Sequence, residues 1–386
     1  MPASLFFRWM RPLLVISLAA VVLSGCGMFK RKDPRTDPAP LTEYPAGVSA
    51  SVAWTVPVGS GSGYGFAPLE HDGAVYAAAP SGVVVKVSTR SGSVSWRTDI
   101  GYRLSAGVGS DGSTTAVAAE DGTVIALNAN GQEKWTARAT SNVAVPPVVG
   151  EGVVVVRSGD YRIQAFDAGD GELRWSIQRP GPALALTTSM QMMMLEGMVI
   201  TGMPNGKLMA IDAETGNVQW EGTVGMAQGP TDLERISDVV GKPQLQGSYL
   251  CGVTYQSRMS CFDIARGGDT VWSQRFSSPT GMATDAAHAY AADPRSVVHA
   301  FDLEDGHQVW KQEGLRNRRL AAPAVVEQAV AVADFEGYVH FLGRADGQLL
   351  GRINIGGGRV LSPLLGTEHG VIVQAGNGSL HRISLR

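Results

Sequence analysis

Short apolar runs separated by tight turns dominate the chain after residue 47. Residues 115–128, 152–167 and 329–343 each hold an alternating apolar segment, a turn containing Gly and a second apolar segment. Alternation with a period of two is typical of β-strands that bury one face, and turns of this kind join antiparallel neighbours. The pattern therefore predicts an all-β body built from hairpins.

A recurring motif follows these hairpins: an apolar strand ends in Asp, Gly comes four residues later, and Trp comes after another four. In residues 210–220 these are Asp212, Gly216 and Trp220. Asp can accept a backbone N–H of the turn, and Gly supplies the positive φ that a short hairpin needs. We predict that the Trp lies on the second strand and packs on the neighbouring repeat.

The positions equivalent to this Trp define the period of the repeat. They are Trp54, Trp96, Trp135, Trp175, Trp220, Trp272, Trp310 and Gly351. A period near 40 residues with four short strands per copy is typical of a β-propeller. Eight positions therefore predict eight four-stranded blades.

The two ends of the body complement each other. Trp54 has no partner strand before it, and the strand at residues 379–385 has no Trp strand after it. We predict that the N-terminal strand completes the last blade and closes the ring, which also removes open sheet edges. An open β-solenoid is the competing architecture, and it would not need complementary ends.

Composition and charge restrict the classes of molecule that the protein is expected to bind. Of the 386 residues, 48 are Gly and only 17% are charged. A fold of many short strands joined by tight turns would give such a composition. The formal net charge is −3. Because no basic stripe with interleaved aromatic residues is present, the sequence does not indicate nucleic-acid binding.

The amino terminus is typical of a targeting segment. Within residues 1–25, Arg8 and Arg11 precede an apolar run at residues 12–23. This run is too short for an ordinary membrane span. We interpret residues 1–25 as a signal peptide that is removed from the mature protein.

Leu-Ser-Gly-Cys at residues 23–26 resembles a bacterial lipobox. The resemblance implies cleavage before Cys26 and attachment of lipid to that residue, and Gly27 in place of Asp implies the outer membrane. The charged, Pro-rich stretch 26–47 is interpreted as the lipidated Cys and a flexible tether. The propeller is predicted over residues 48–386.

The repeat at residues 210–220, A-x-D-x-x-T-G-x-x-x-W, resembles the pyrroloquinoline-quinone-type propeller repeat. With the lipobox and the inserts at 231–243 and 334–347, the chain over about 47–386 resembles the BamB family, the lipoproteins of the outer-membrane β-barrel assembly (Bam) machinery. The resemblance implies a non-catalytic scaffold that faces the periplasm, binds BamA and assists insertion of β-barrel proteins. Unfolded outer-membrane proteins are a further candidate partner.

The same resemblance implies two segments that contact BamA. An L-x-L-R segment falls on residues 184–187, where both Leu match and Thr replaces Arg. An R-[IL]-S-D-V-D segment falls on residues 235–240, where Arg and the first Asp match and Val240 replaces the second acid. The predicted partner-binding set is Leu184, Leu186, Thr187, Arg235 and Asp238. The alternatives are a core-facing strand for the two Leu and the capping of a turn for Asp238.

Catalytic alternatives have little support in the sequence. A quinone-dependent dehydrogenase shares the repeat, but such enzymes commonly carry adjacent cysteines, and this chain has no Cys-Cys pair. His299, His340 and His381 occupy equivalent positions on successive repeats, where sheets about 10 Å apart keep them from one metal. We predict no enzymatic activity, no cofactor and no metal. A ligand- or glycan-binding envelope propeller is the alternative function.

Cys251 and Cys261 are the two cysteines that remain after lipidation of Cys26, and an oxidising periplasm permits a disulfide. A three-residue turn with a bulge would place them directly opposite on adjacent strands, about 4.5–5.5 Å apart. A two-residue turn would place them on opposite faces as free thiols. We predict the bond, with the shorter turn as the alternative.

Overall fold

The computed structural model describes residues 36–182 and 184–386, which contain 32 strands and one 3-10 helix at Ile264–Arg266. The strands of blades 1 to 4 are β2 (Leu69–His71), β3 (Ala74–Ala78), β4 (Val83–Ser88), β5 (Val94–Asp99), β6 (Leu104–Ser110), β7 (Thr114–Ala119), β8 (Thr123–Asn128), β9 (Glu133–Arg138), β10 (Val148–Gly150), β11 (Val153–Arg157), β12 (Arg162–Asp167), β13 (Leu173–Gln178), β14 (Met192–Leu195), β15 (Met198–Gly202), β16 (Lys207–Asp212) and β17 (Val218–Thr223). Those of blades 5 to 8 are β18 (Val239–Gln246), β19 (Tyr249–Thr254), β20 (Arg258–Asp263), β21 (Asp269–Arg275), β22 (Met282–Thr284), β23 (His288–Ala292), β24 (Val298–Asp302), β25 (Gln308–Gln312), β26 (Ala324–Val326), β27 (Ala329–Ala333), β28 (Tyr338–Gly343), β29 (Leu349–Asn354), β30 (Leu365–Thr367), β31 (Gly370–Gln374), β32 (Ser379–Leu385) and β1 (Ala50–Pro57).

These strands form eight antiparallel four-stranded sheets. Blades 1 to 7 each take four consecutive strands, and blade 8 takes β30, β31, β32 and β1. The innermost strand of each blade contacts the innermost strand of the next, including β30 of blade 8 with β2 of blade 1. The ring is therefore closed, which confirms the eight-bladed propeller and rules out the open solenoid.

Blade 8 joins the two ends of the described chain. β1 pairs antiparallel with β32, from Ala50 opposite Leu385 to Pro57 opposite Ser379. The N–H of residue 49 donates to the carbonyl of residue 386, and the N–H of residue 386 donates back. The predicted closure by complementary terminal strands is thereby confirmed.

The hydrophobic core lies between the blades, since each sheet packs against two neighbours. All residues of β3, β11 and β27 are buried. The outermost strands alternate between covered and exposed residues, as β9 and β13 show. This arrangement explains why the second strand of each repeat is apolar at nearly every position rather than at every other one.

Each motif Trp packs on the turn of the next blade, with the motif Gly directly beneath its ring. A Cβ on Gly216 would lie 2.7 Å from the ring of Trp175, so only Gly fits. The indole Nε1 of Trp175 donates to the carbonyl of Ala213 in that turn, at 2.8 Å. Equivalent indole hydrogen bonds are made by Trp54, Trp96, Trp135, Trp272 and Trp310.

Blade 7 has Gly351 at the Trp position because blade 8 has no turn for an indole to pack on. The third and fourth strands of blade 8 come from opposite ends of the chain, so no turn joins them. A Cβ on Gly351 would lie 2.9 Å from the carbonyl oxygen of Val48. Val48 is buried in the core shared by blades 7 and 8. The N-terminal segment thus fills the space that the indole occupies elsewhere.

Residues 39–47, which the sequence assigns to the tether, lie against blade 7. Arg318 donates to the carbonyl of Ala39 at 3.0 Å, and Arg352 donates to the carbonyl of Thr42 at 2.7 Å. The compact unit that contains the propeller accordingly begins at Ala39 rather than at residue 48. Composition did not reveal this, because the two contacts above use backbone carbonyls, which every residue carries, and the ion pair of Arg352 with Glu43 joins residues 309 positions apart.

The predicted signal peptide and Cys26 lie outside the described residues. Within residues 36–182 and 184–386, no helix has the length and hydropathy that a membrane crossing requires.

Candidate functional site

Two long connections emerge on one face of the ring. Residues 179–191 link β13 of blade 3 to β14 of blade 4, and residues 224–238 link β17 of blade 4 to β18 of blade 5. Both run from the outermost strand of one blade to the innermost strand of the next, so they leave the ring on the same side. Long loops on a rigid scaffold often carry binding residues.

The predicted L-x-L segment lies in the first of these loops and not on a strand. The side chain of Leu184 is 43% exposed. Leu186 is partly buried and packs on the core cluster shared by blades 5 and 6, and Thr187 is exposed. The core-strand alternative for the two Leu is therefore wrong, and only Leu186 has a structural role.

Asp238 is buried and holds the first loop in place. Its Oδ2 accepts the backbone N–H of Leu186, 52 residues away in sequence. Its Oδ1 has no hydrogen-bond partner among the described residues, and burial raises the pKa of the carboxyl to about 6. Asp238 thus joins two loops, and its carboxylate does not cap a turn of its own loop as the alternative supposed.

Arg157, at the end of β11, supplies a buried positive charge to the same region. Its guanidinium donates to the carbonyl of Gly202 and to Sδ of Met190. Burial lowers the pKa of Arg157 to about 10, and the opposite charges of Arg157 and Asp238 partly offset this burial effect in each other. Sequence reasoning missed this residue. The available signal was a single charge at the end of an apolar strand, which does not indicate a loop two blades away.

Two further contacts fix the ends of the first loop. The hydroxyl of Tyr161 donates to the carbonyl of Pro182 at 2.9 Å. The hydroxyl of Thr188 donates to the carbonyl of Pro279, which precedes blade 6. Since side chains and carbonyls of blades 3, 5 and 6 hold it, the loop presents Leu184 in a defined position.

Arg235, the remaining member of the predicted set, is less closely associated with the first loop. Arg235 pairs with Asp232 at 2.5 Å and donates to carbonyl groups of its own loop. Val240, which replaces the second acid of the resembled segment, is buried on β18. The structure therefore joins Leu186 directly to Asp238, whereas Arg235 makes its contacts within the second loop.

The second loop also carries apolar residues that sequence reasoning missed. Met226 is 62% exposed and Leu233 is 65% exposed, more than any other large apolar residue in the described part of the chain. Each is a single apolar residue in a polar stretch, so no periodic pattern marks it. Exposed apolar side chains grouped on one face are typical of a protein-interaction surface.

A cavity of about 390 Å³ lies beside the L-x-L segment. Leu186 and Thr187 line one part of it, and Phe66, Tyr161 and Met190 line others. Its lining is mostly apolar, so the cavity can accept an apolar or aromatic side chain of a partner.

Cys251 and Cys261 lie directly opposite each other on β19 and β20, and the structure joins them in a disulfide. The register is the one expected for the three-residue turn. The left-handed residue of this turn is Gln256, with φ of 60°, whereas blade 2 uses Gly122 one position later. Both cysteines are buried beside Trp272. The bond lies inside the blade and takes no part in the loop surface.

The equivalent histidines have separate partners in separate blades. His340 contacts Asp334, His381 contacts Thr55, and His299 contacts Gln308. One group of three metal-type ligands comes together within the described ranges, namely Asp302, Asp305 and His307 on an exposed turn. Both carboxylates accept backbone N–H groups of that turn, so turn capping accounts for their position.

Known proteins resemble the chain over most of its length. The family model described as outer membrane protein assembly factor BamB matches residues 80–312 and 295–386. A Bordetella pertussis protein named outer membrane protein assembly factor BamB is 57% identical over 366 residues, which cover 95% of each chain. The crystal structure of BamB from Moraxella catarrhalis superposes with a TM-score of 0.80 at 23% identity, covering 87% of this chain and 100% of that chain. Quinohemoprotein alcohol dehydrogenase from Comamonas testosteroni reaches 0.67 at 14% identity, covering 87% of this chain and 76% of that chain. Both structural likenesses show the fold alone.

Proposed function

The chain belongs to the BamB family of outer membrane protein assembly factors, and from this premise we propose that it is a non-catalytic scaffold of the Bam complex that docks on BamA. A lipid on Cys26 would hold it at the outer membrane, with the propeller in the periplasm. This anchoring rests on the lipobox at residues 23–26 and on the proposed removal of residues 1–25.

The observation that carries the docking proposal is the coupling of the two long loops. The Asp238 carboxylate accepts the Leu186 N–H, so the loops are fixed relative to each other before a partner arrives. They expose Leu184, Met226 and Leu233. A preformed surface of apolar side chains with polar surroundings is what a stable protein interface requires.

A scaffold role also fits the rest of the ring. The indole of each motif Trp ties one blade to the next, and the terminal strands close the circle. Such a body can hold partner domains at fixed positions. The cysteine arrangement differs from that of the quinone enzymes, since Cys251 and Cys261 are ten residues apart and joined across two strands.

Replacing both exposed Leu, by Leu184→Glu with Leu233→Glu, is expected to weaken binding to the periplasmic domains of BamA roughly tenfold or more. In the proposed complex two carboxylates would have to be desolvated where the wild type buries apolar side chains, and central apolar contacts carry most of the energy of an interface. The measurement is the Kd in detergent, together with recovery of BamA in a pull-down from solubilised outer membranes.

A matched control is Leu173→Glu with Val94→Glu. Both residues are exposed apolar side chains on outermost strands, with exposed fractions of 54% and 48%. This variant is expected to bind BamA with unchanged affinity. Equal loss in both variants would indicate a general charge effect, and wild-type affinity of the Leu184/Leu233 variant would remove the loops from the site.

Asp238→Ala is expected to release the first loop by removing a contact within the protein rather than a contact with BamA. The Leu186 N–H would lose its acceptor and Arg157 would lose its opposing charge, which together cost about 3 kcal/mol of stability. Hydrogen exchange at the Leu186 amide should then accelerate, and the affinity for BamA should fall roughly tenfold. Asp238→Asn keeps an acceptor oxygen and should retain protection of that amide.

Hydrogen exchange distinguishes a positioning role from a direct one. If Asp238→Ala lowers the affinity while the Leu186 amide stays protected, the carboxylate itself must contact BamA. If the amide exchanges rapidly and the affinity is unchanged, the loop conformation does not matter for docking.

A further inference from the structure

The innermost strand of blade 5 leaves its ladder for three residues. β18 pairs with β19 up to Val240 and resumes at Gln244. The intervening Gly241 has φ of +75°. Bulges of this kind re-aim a side chain and are frequent near functional sites. Here the re-aimed side chain is Lys242.

The surrounding strands are shaped to hold this bulge. The backbone of Gly241 packs directly on the backbone of Gly281, which precedes blade 6. A Cβ on Gly241 would come within 2.6 Å of the Gly281 Cα. The N–H of Gly241 donates to the carbonyl of Ser189 at 2.7 Å, and the N–H of Gln191 donates to the carbonyl of Gly241. Blades 4 and 6 therefore both fix the backbone that carries Lys242.

Lys242 projects into the channel on the axis of the ring. It lines two cavities of about 260 Å³ and about 360 Å³. The other lining residues of these two cavities come from the inner strands and inner loops of all eight blades, so the side chain is central. Gln191 lines both cavities, and Gln244 lines the smaller one.

The ammonium group of Lys242 has no ion pair and no hydrogen bond within residues 36–182 and 184–386. Among the described residues, Asp111 is the one acid that lines either cavity. Its carboxylate accepts the N–H groups of Ser113 and Thr114 in its own turn. The side chain of Lys242 is open to the channel, yet surrounding protein lowers its pKa through desolvation. Because desolvation disfavours the charged ammonium group, a bound anion would stabilise it.

We propose that the axial channel binds a small oxyanion at Lys242, beside the amides of Gln191 and Gln244. The chemical class is a phosphate or a short carboxylate, since the site offers one cation and amide donors in cavities of a few hundred cubic ångströms. This function is separate from docking on BamA, because Leu184, Met226 and Leu233, which the two loops expose, line neither cavity.

The test is calorimetric titration of the full mature lipoprotein in detergent with inorganic phosphate and, in a second arm, with succinate. Saturable binding of at least one anion is expected, and the two arms show which class is preferred. Lys242→Met should weaken binding by roughly tenfold or more. Lys311→Met is the matched control, because Lys311 lies on an outermost strand and pairs with Glu313; it should bind as the wild type does.

The protein can also be ¹³C-methylated on its lysines, and the anion should then shift one resonance that Lys242→Met lacks. Absence of saturable binding in both arms would overturn the proposal. So would equal binding by the Lys242→Met and Lys311→Met variants. BamA affinity is expected to be unchanged in both variants. The anion-binding proposal and the docking proposal can therefore fail independently of each other.

Discussion

Deletion of residues 379–386 is expected to unfold the whole propeller and not only blade 8. The deleted strand β32 lies between β31 and β1, so its loss also releases the N-terminal strand. Leu380, Ile383 and Leu385 are buried, and their burial contributes about 6 kcal/mol at roughly 2 kcal/mol each. Total domain stability is about 5–15 kcal/mol. The check is a thermal melt followed by tryptophan fluorescence, in which the cooperative transition should be absent.

An equally long deletion at residues 28–35, in the predicted tether, serves as the control and should leave the transition unchanged. Cooperative unfolding is expected because each blade is held by its two neighbours. If the shortened protein retained a cooperative transition of near wild-type height, blades 1 to 7 would be stable without closure. The ring would then not be the unit of folding.

Features that repeat locally were readable from the sequence. The Asp–Gly–Trp spacing around Asp212, Gly216 and Trp220 predicted the blade number, because each copy builds the same strand, turn and inter-blade contact. The departure at Gly351 has a reason that only the assembled ring shows. There, the chain ends replace a turn, and Val48 takes the space of an indole.

Features that depend on contacts between residues far apart in sequence could not be predicted. Asp238 and Leu186 are 52 residues apart, and their contact depends on two loops without periodicity. Resemblance marked both residues as a partner surface, but the structure assigns Asp238 to the interior and exposes Leu184. Arg157 shows the same limit, since a buried charge can be recognised only when its surroundings are known.

Asp334→Ala is expected to cost about 3 kcal/mol of unfolding free energy, since buried Arg318 loses its buried counter-charge and keeps the exposed Glu336 as its remaining carboxylate partner among the described residues. Asp334 is fully buried, and its Oδ2 accepts from Nε of Arg318 at 2.6 Å and from Nε2 of His340 at 3.0 Å. Its Oδ1 accepts the N–H groups of Glu336 and Tyr338. Arg318 in turn holds the carbonyl of Ala39. Chemical denaturation should show the loss, and hydrogen exchange should show release of residues 39–47 from blade 7.

Asp302→Ala is the control, because Asp302 accepts the same kind of turn N–H groups on an exposed turn; it should cost about 1 kcal/mol.

The pH dependence of stability tests the contribution of His340, whose pKa is lowered by burial. Below the unfolded value of 6.5 the unfolded chain takes up a proton before the folded chain does, so stability falls as the pH falls from 6.5 toward the folded pKa. His340→Gln cannot take up that proton, and its amide can still donate to Asp334. Between pH 7 and pH 5 the wild type should therefore lose more stability than His340→Gln, and parallel profiles would show that His340 takes up its proton equally in the folded and unfolded chain.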